Sequence, residues 1–132
     1  MGGSIVPYAP ARMKRLRVLV LVLSALSLAA CGEEGITVAK DGRIVIRIDD
    51  FRLTPQVVRA RAGVLTIELR NDGRLGHAFH LRRNGRLWLE EKRLAPGERR
   101  VVSRRLERGD YRAFDPLANF EVLGLYGTLS VR

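Results

Sequence analysis

The sequence predicts an all-β domain, a Greek-key β-sandwich of about seven or eight short strands. Three observations predict it. Apolar residues alternate with polar ones over Arg43–Ile48 and Val64–Arg70, the period of a half-buried strand. Turn dipeptides, Asp41-Gly42, Asn84-Gly85 and Pro96-Gly97, recur between such runs. No long stretch repeats apolar residues at helical spacing. The nearest is Arg99–Arg108, with Val102 and Leu106 one turn apart, but its apolar content is thin and turns bracket it, so it reads as strand.

The beginning of the 132-residue chain stands apart from this domain. Met13-Lys-Arg-Leu-Arg17 is a basic segment, and Val18–Ala30 is an apolar run shorter than the roughly 20 residues a membrane span needs. It ends in Leu28-Ala29-Ala30-Cys31-Gly32. That ending resembles the lipobox of bacterial lipoproteins, in which the cysteine is lipidated and becomes the new N-terminus. The resemblance implies a signal peptide over 1–30, with Met13 an alternative start, and a lipid anchor on Cys31. An ordinary signal peptide with a chance cysteine is the alternative. Residues 31–40 then form the lipidated N-terminus and linker, and 41–132 the domain. The implied location is the outer face of the cytoplasmic membrane, or the outer membrane. Cys31 is the only cysteine, so no disulfide forms within the chain. About a hundred residues suffice to bury a core without one.

The formal charge is +10. Four of the basic residues lie before Cys31, which leaves 20 basic and 14 acidic residues, net +6. A basic exported domain near a bilayer is drawn to anionic lipid heads or acidic wall polymers. Nucleic acid is not an expected partner, because no aromatic residues interleave the arginines as a stacking platform requires. The Arg99/Arg100 and Arg104/Arg105 pairs read as a solvated strand face.

Taken in order, Ile36–Val38 offers a small first strand. After the Asp41-Gly42 turn, Ile44, Ile46 and Ile48 point one way. Asp49-Asp50 before Phe51 reads as turn chemistry rather than a catalytic pair. Gln56–Ala60 is extended. In Val64–Arg70, Leu65, Ile67 and Leu69 face in while Thr66, Glu68 and Arg70 face out. Asn71-Asp-Gly73 is a turn. His77–Arg82 is a strand closed by the Asn84-Gly85 hairpin, and Leu87-Trp-Leu89 follows, with Trp88 at the core or its rim. Two further strands, Glu98–Leu106 and one around Tyr111, precede a long loop with Pro116, Asn119 and Gly124. Thr128–Val131 closes the chain. A loop of that length in a small β-protein usually carries function.

That loop ends Gly124-Leu-Tyr-Gly127-Thr-Leu-Ser-Val131. It resembles the copper-binding loop of the cupredoxins, the plastocyanin and azurin relatives. Phe51-x-x-x-Pro55, Arg61-Ala-Gly63, Asn71-x-Gly73 with His77, Leu94-x-Pro-Gly-Glu98 and Leu106-x-x-Gly109-x-Tyr111 resemble further family segments in the family's order. The resemblance spans Arg43 to Arg132 and implies a cupredoxin-like sandwich. It places the family's first histidine ligand at His77, its cysteine at Asp115, its second histidine at Phe120 and its methionine at Leu125. A blue-copper site needs two imidazoles and a thiolate. Here only His77 carries a suitable donor, so electron transfer through type 1 copper is not expected and no cofactor is implied.

Two uses of His77 stay open: a corner residue bonded to a backbone carbonyl, or a weak metal site with Asp115 and a solvent ligand. Copper, zinc or iron would suit the second. His80, three residues on, faces the opposite side of a strand and cannot complete a chelate. Phe114, Phe120, Leu123, Leu125 and Tyr126 make the loop end apolar, either by filling the former metal volume or as a patch for a partner protein. No nucleophile elbow, phosphate loop or carboxylate–histidine cluster marks an enzyme. The expected function is a membrane-anchored binding or structural role in the cell envelope.

Overall fold

A computed structural model describes residues 2–5 and 35–132. The segment from the basic leader through Cys31 lies outside the described residues. The chain divides into two compact units, Met1–Glu33 and Glu34–Arg132, and the second holds every described strand.

Ten strands form two sheets: β1 Thr37–Val38, β2 Arg43–Asp49, β3 Arg52–Thr54, β4 Val57–Ala60, β5 Gly63–Asn71, β6 His77–Arg83, β7 Arg86–Leu94, β8 Arg99–Leu106, β9 Gly109–Phe114 and β10 Tyr126–Val131. The count exceeds the seven or eight expected because β1 and β3 are only two and three residues long. One sheet runs β1-β4-β10-β9-β6-β7 and the other β3-β2-β5-β8. The chain passes repeatedly from sheet to sheet, and the described residues contain no helix. Arg99–Leu106 is a strand, as its flanking turns require.

The alternation read from the sequence is what the sheets bury. Ile46 and Ile48 from β2 and Leu65, Ile67 and Leu69 from β5 meet Phe79, Leu81, Tyr111, Leu129 and Val131 of the facing sheet. Ile67 and Leu69 have no exposed surface, and each contributes about 1.5–3 kcal/mol by leaving water. Trp88 packs half-buried at the rim, its ring edge-on to Tyr111 at 5.6 Å. The Tyr111 hydroxyl donates to Glu107 O at 2.9 Å and locks the β8–β9 corner. Asn84 and Gly85 both adopt positive φ, 49° and 75°, as a two-residue hairpin between β6 and β7 demands.

One expectation about the arginines needs correcting. Arg99, Arg104 and Arg105 are exposed, but Arg100 is half-buried. Its register partner is the core residue Leu69, so its side chain starts on the inner side of β8. It escapes along the open edge of the sandwich, donating to Lys92 O at 3.0 Å and to Glu98 and Glu91.

Two pairings decide where the functional end lies. β2 runs parallel to β5, from Arg43↔Thr66 to Ile48↔Asn71, so the ends of both strands reach one pole of the sandwich. β6 begins at that pole with His77, and β10 begins there with Tyr126. The Asp115–Leu125 loop therefore closes over His77, with Asp115 N donating to Leu125 O at 3.1 Å across its neck.

Candidate functional site

At this pole the chain assembles a buried imidazole between two carboxylates. His77 and Asp115 are both fully buried. His77 Nδ1 lies 2.8 Å from Asp115 Oδ2. A carboxylate only accepts, so the ring donates to it. The other Asp115 oxygen accepts the Leu117 N–H at 2.9 Å. His77 Nε2 faces Asp50 Oδ1 at a longer 3.4 Å.

Asp50 is the residue that sequence reasoning assigned to turn chemistry alone. Its Oδ1 accepts the backbone N–H groups of Arg74 and Leu75, at 2.7 and 3.0 Å, besides facing His77. The Leu75 N–H, opposed by partial burial, and then the Arg74 N–H and the His77 ring hold its carboxyl below the ordinary range. Gly73 makes this approach possible: a Cβ there would run into Asp50 Oδ1. Asn71 pins the same loop, accepting from Gly73 N at 3.0 Å and donating to Leu75 O and Leu94 O at 2.8 and 3.0 Å.

The expected backbone-carbonyl partner for His77 is thus replaced by the two carboxylates. The reason is topological. The parallel β2–β5 pair carries the turn after β2 to the start of β6, and the long loop brings Asp115 in from the other side.

The apolar positions close the rest of the pocket. The Phe120 ring stands at 62° to the His77 ring, with centroids 4.7 Å apart. Leu125 is fully buried and Phe120 is 8% exposed. His80 lies on the outer face, half-buried, with its ring edge-on to Phe114 at 5.6 Å, and does not converge with His77. Asp50, His77 and Asp115 are therefore the three chemistry-bearing side chains of the pole.

Do these residues fit a metal ion? A metal bonded to both nitrogen and oxygen at about 2.0–2.2 Å, at a tetrahedral angle, would hold the two donors about 3.3 Å apart. His77 Nδ1 and Asp115 Oδ2 sit at hydrogen-bond distance instead. Asp50 approaches the opposite ring nitrogen, so the two carboxylates do not point at a common centre. Phe120 and Leu125 supply no donor. Among the described residues, no group of three or more His, Cys, Asp or Glu is placed to hold a metal ion. The pole does not fit type 1 copper.

No family model matches the sequence, and no curated protein matches it. Solved structures do match. Dithionite-reduced auracyanin from Roseiflexus castenholzii superimposes with a TM-score of 0.64 at 13% identity, over 71% of this chain and 98% of that one. Reduced rusticyanin gives 0.61 at 10% identity, over 87% and 95%. A multicopper oxidase gives 0.57 at 20% identity, over 68% of this chain but only 41% of the oxidase. The domain has the cupredoxin fold. In this cupredoxin-fold domain Asp115, which the resemblance placed at the family's cysteine position, is the partner of His77. Phe120 and Leu125, placed by the same resemblance at the second-histidine and methionine positions, are buried packing.

Proposed function

We propose that this protein is an exported, lipid-anchored cupredoxin-fold domain with a binding or structural role in the cell envelope, and that it neither carries electrons through type 1 copper nor catalyses a reaction. One observation carries the reading: the buried His77–Asp115 pair occupies the pole at 2.8 Å, with Phe120 and Leu125 packed around it. Metal entry would break a buried hydrogen-bonded pair and gain at most two donors. The leader and Cys31 support the address, because their residues match a lipoprotein signal throughout. Equilibrium dialysis of the purified protein against copper and zinc tests it. The expected result is no binding at micromolar metal. Binding there that His77→Ala abolishes would establish the rival metal-handling role.

A second observation favours a protein partner at the same pole. Val122, Phe51, Leu123, Leu75 and Tyr126 are 85, 59, 55, 45 and 41% exposed. Packing around His77 accounts for the buried Phe120 and Leu125, and packing against His80 and Arg82 on the outer face accounts for Phe114, but neither accounts for these five. A photocrosslinker at position 122 in native envelopes should give one dominant adduct. Diffuse labelling equal to that from position 105 would contradict a docking role.

A further inference from the structure

At the pole opposite His77, the ends of four strands frame a cleft of about 580 Å³. Val38 of β1, the Lys40–Gly42 turn before β2, Arg59 to Arg61 at the end of β4, and Arg132 after β10 line it. Strand direction fixes the separation. β2, β5 and β10 each begin at one pole and end at the other, over seven, nine and six residues, or about 20–30 Å at 3.3 Å per residue.

The charge of this cleft is lopsided. Lys40, Arg59, Arg61 and Arg132 line it, and Asp41 is the one carboxylate side chain among the lining residues. Arg132 is held by Asp110 at 2.7 Å. Lys40, Arg59 and Arg61 form no ion pair among the described residues. Elsewhere on the domain Arg47, Arg70, Arg74, Arg82, Arg83, Arg100 and Arg112 meet carboxylates, while the exposed Arg86, Arg104, Arg105 and Arg108 form no ion pair among the described residues either. What sets Lys40, Arg59 and Arg61 apart is that they line one cleft, large enough for a small anionic group.

We infer that this cleft binds the phosphate of an anionic phospholipid headgroup, docking the base of the domain on a bilayer. Guanidinium forks suit phosphate oxygens, and the three unpaired cations surround one opening. Lipid is favoured over free phosphate by what borders the cations. Val38, which lines the cleft, is 64% exposed, and Ile36 before it is 52% exposed. Val101 is 64% exposed on the adjoining surface, where Val38, Lys40, Arg43 and Val45 line a neighbouring cleft of about 540 Å³. Exposed aliphatic side chains beside cations suit an interface that offers acyl boundary and phosphate together. The inference rests on the envelope reading for the nearness of a membrane. Val38 lies seven residue steps after Cys31, so an anchor there would keep the cleft within about 25 Å of the lipid.

The test compares the full-length protein with an Arg59→Gln/Arg61→Gln variant. Both are mixed with phosphatidylglycerol vesicles and with phosphatidylcholine vesicles, at low and high salt, and with inorganic phosphate. Both proteins carry the same leader, so a difference between them reports the cleft. Each cation near an anionic surface is worth about fivefold in binding, so the double variant should lose about thirtyfold on phosphatidylglycerol. The difference should vanish on phosphatidylcholine and shrink in high salt. An Arg59→Lys/Arg61→Lys variant keeps the charge but loses the guanidinium forks, so its binding should fall between the two, and unchanged melting would show that the variants fold. Equal binding of wild type and double variant to phosphatidylglycerol overturns the inference. So does displacement of the vesicles by millimolar inorganic phosphate, which would make this a free-phosphate site. Neither result alters the metal dialysis, so the two readings fail separately.

Discussion

The two poles of this sandwich are built from the ends of the same strands and handle charge in opposite ways. At the His77 pole the polar groups are matched: the buried Asp115 accepts from His77 and Leu117, and the partly exposed Asp50 from Arg74 and Leu75. At the Lys40 pole three cations, Lys40, Arg59 and Arg61, are exposed and form no ion pair among the described residues. The difference teaches where each kind of function can reside. A closed, satisfied network resists ligands, because any entering group must displace hydrogen bonds already made in a low-dielectric interior. An open basic cleft has only water to displace. The His77 end is built as a brace, and the Lys40 end is the one open to a ligand.

This contrast can be broken from either side. The largest effect should come from Asp115→Ala, which strands a buried imidazole and the Leu117 N–H together. It should lower unfolding free energy by about 3–5 kcal/mol in urea melts. A loss under 1 kcal/mol would mean the brace is not one. Next is Leu125→Ala. This removes a fully buried side chain beside Asp115 and should cost about 2–4 kcal/mol, unless the loop collapses into the space.

Acid should separate the poles without mutation of the core. Asp50 is held below its ordinary value in the folded state, so its contribution to stability is present above about pH 4, the unfolded value. It is lost as pH falls through the depressed folded value. Asp50→Asn should therefore remove part of the acid-side decline in melting temperature. Parallel curves for the two proteins would show that Asp50 carries no such linkage. The smallest effect should follow Arg59→Gln/Arg61→Gln, within about 0.5 kcal/mol of wild type, because exposed side chains without partners hold nothing together. A larger loss would mean these arginines are structural and not free to bind.

How much of this was legible beforehand differs between the poles as well. The strands were readable because alternation directly records which face is buried, as in Leu65, Ile67 and Leu69. Asp115, Phe120 and Leu125 could be placed because the closing loop resembles the cupredoxin copper-binding loop, and His77 because Asn71-x-Gly73 before it resembles another segment of that family. Asp50 could not be placed as a partner of His77. Its role depends on β2 pairing in parallel with β5, a long-range fact that leaves no mark in the local pattern. The same holds for Arg100, whose inward register is visible only once β8 is laid against β5. The Lys40 cleft was invisible for a simpler reason. Its residues come from four separated stretches, each ordinary by itself, and only the topology gathers them.

The central claim is that His77 and Asp115 pair with each other and leave no metal site at this pole. The visible absorption spectrum on adding cupric ion to the purified protein tests it most directly. The account predicts no intense blue band in the wild type. An intense band at one equivalent of copper, lost in His77→Ala, would contradict it.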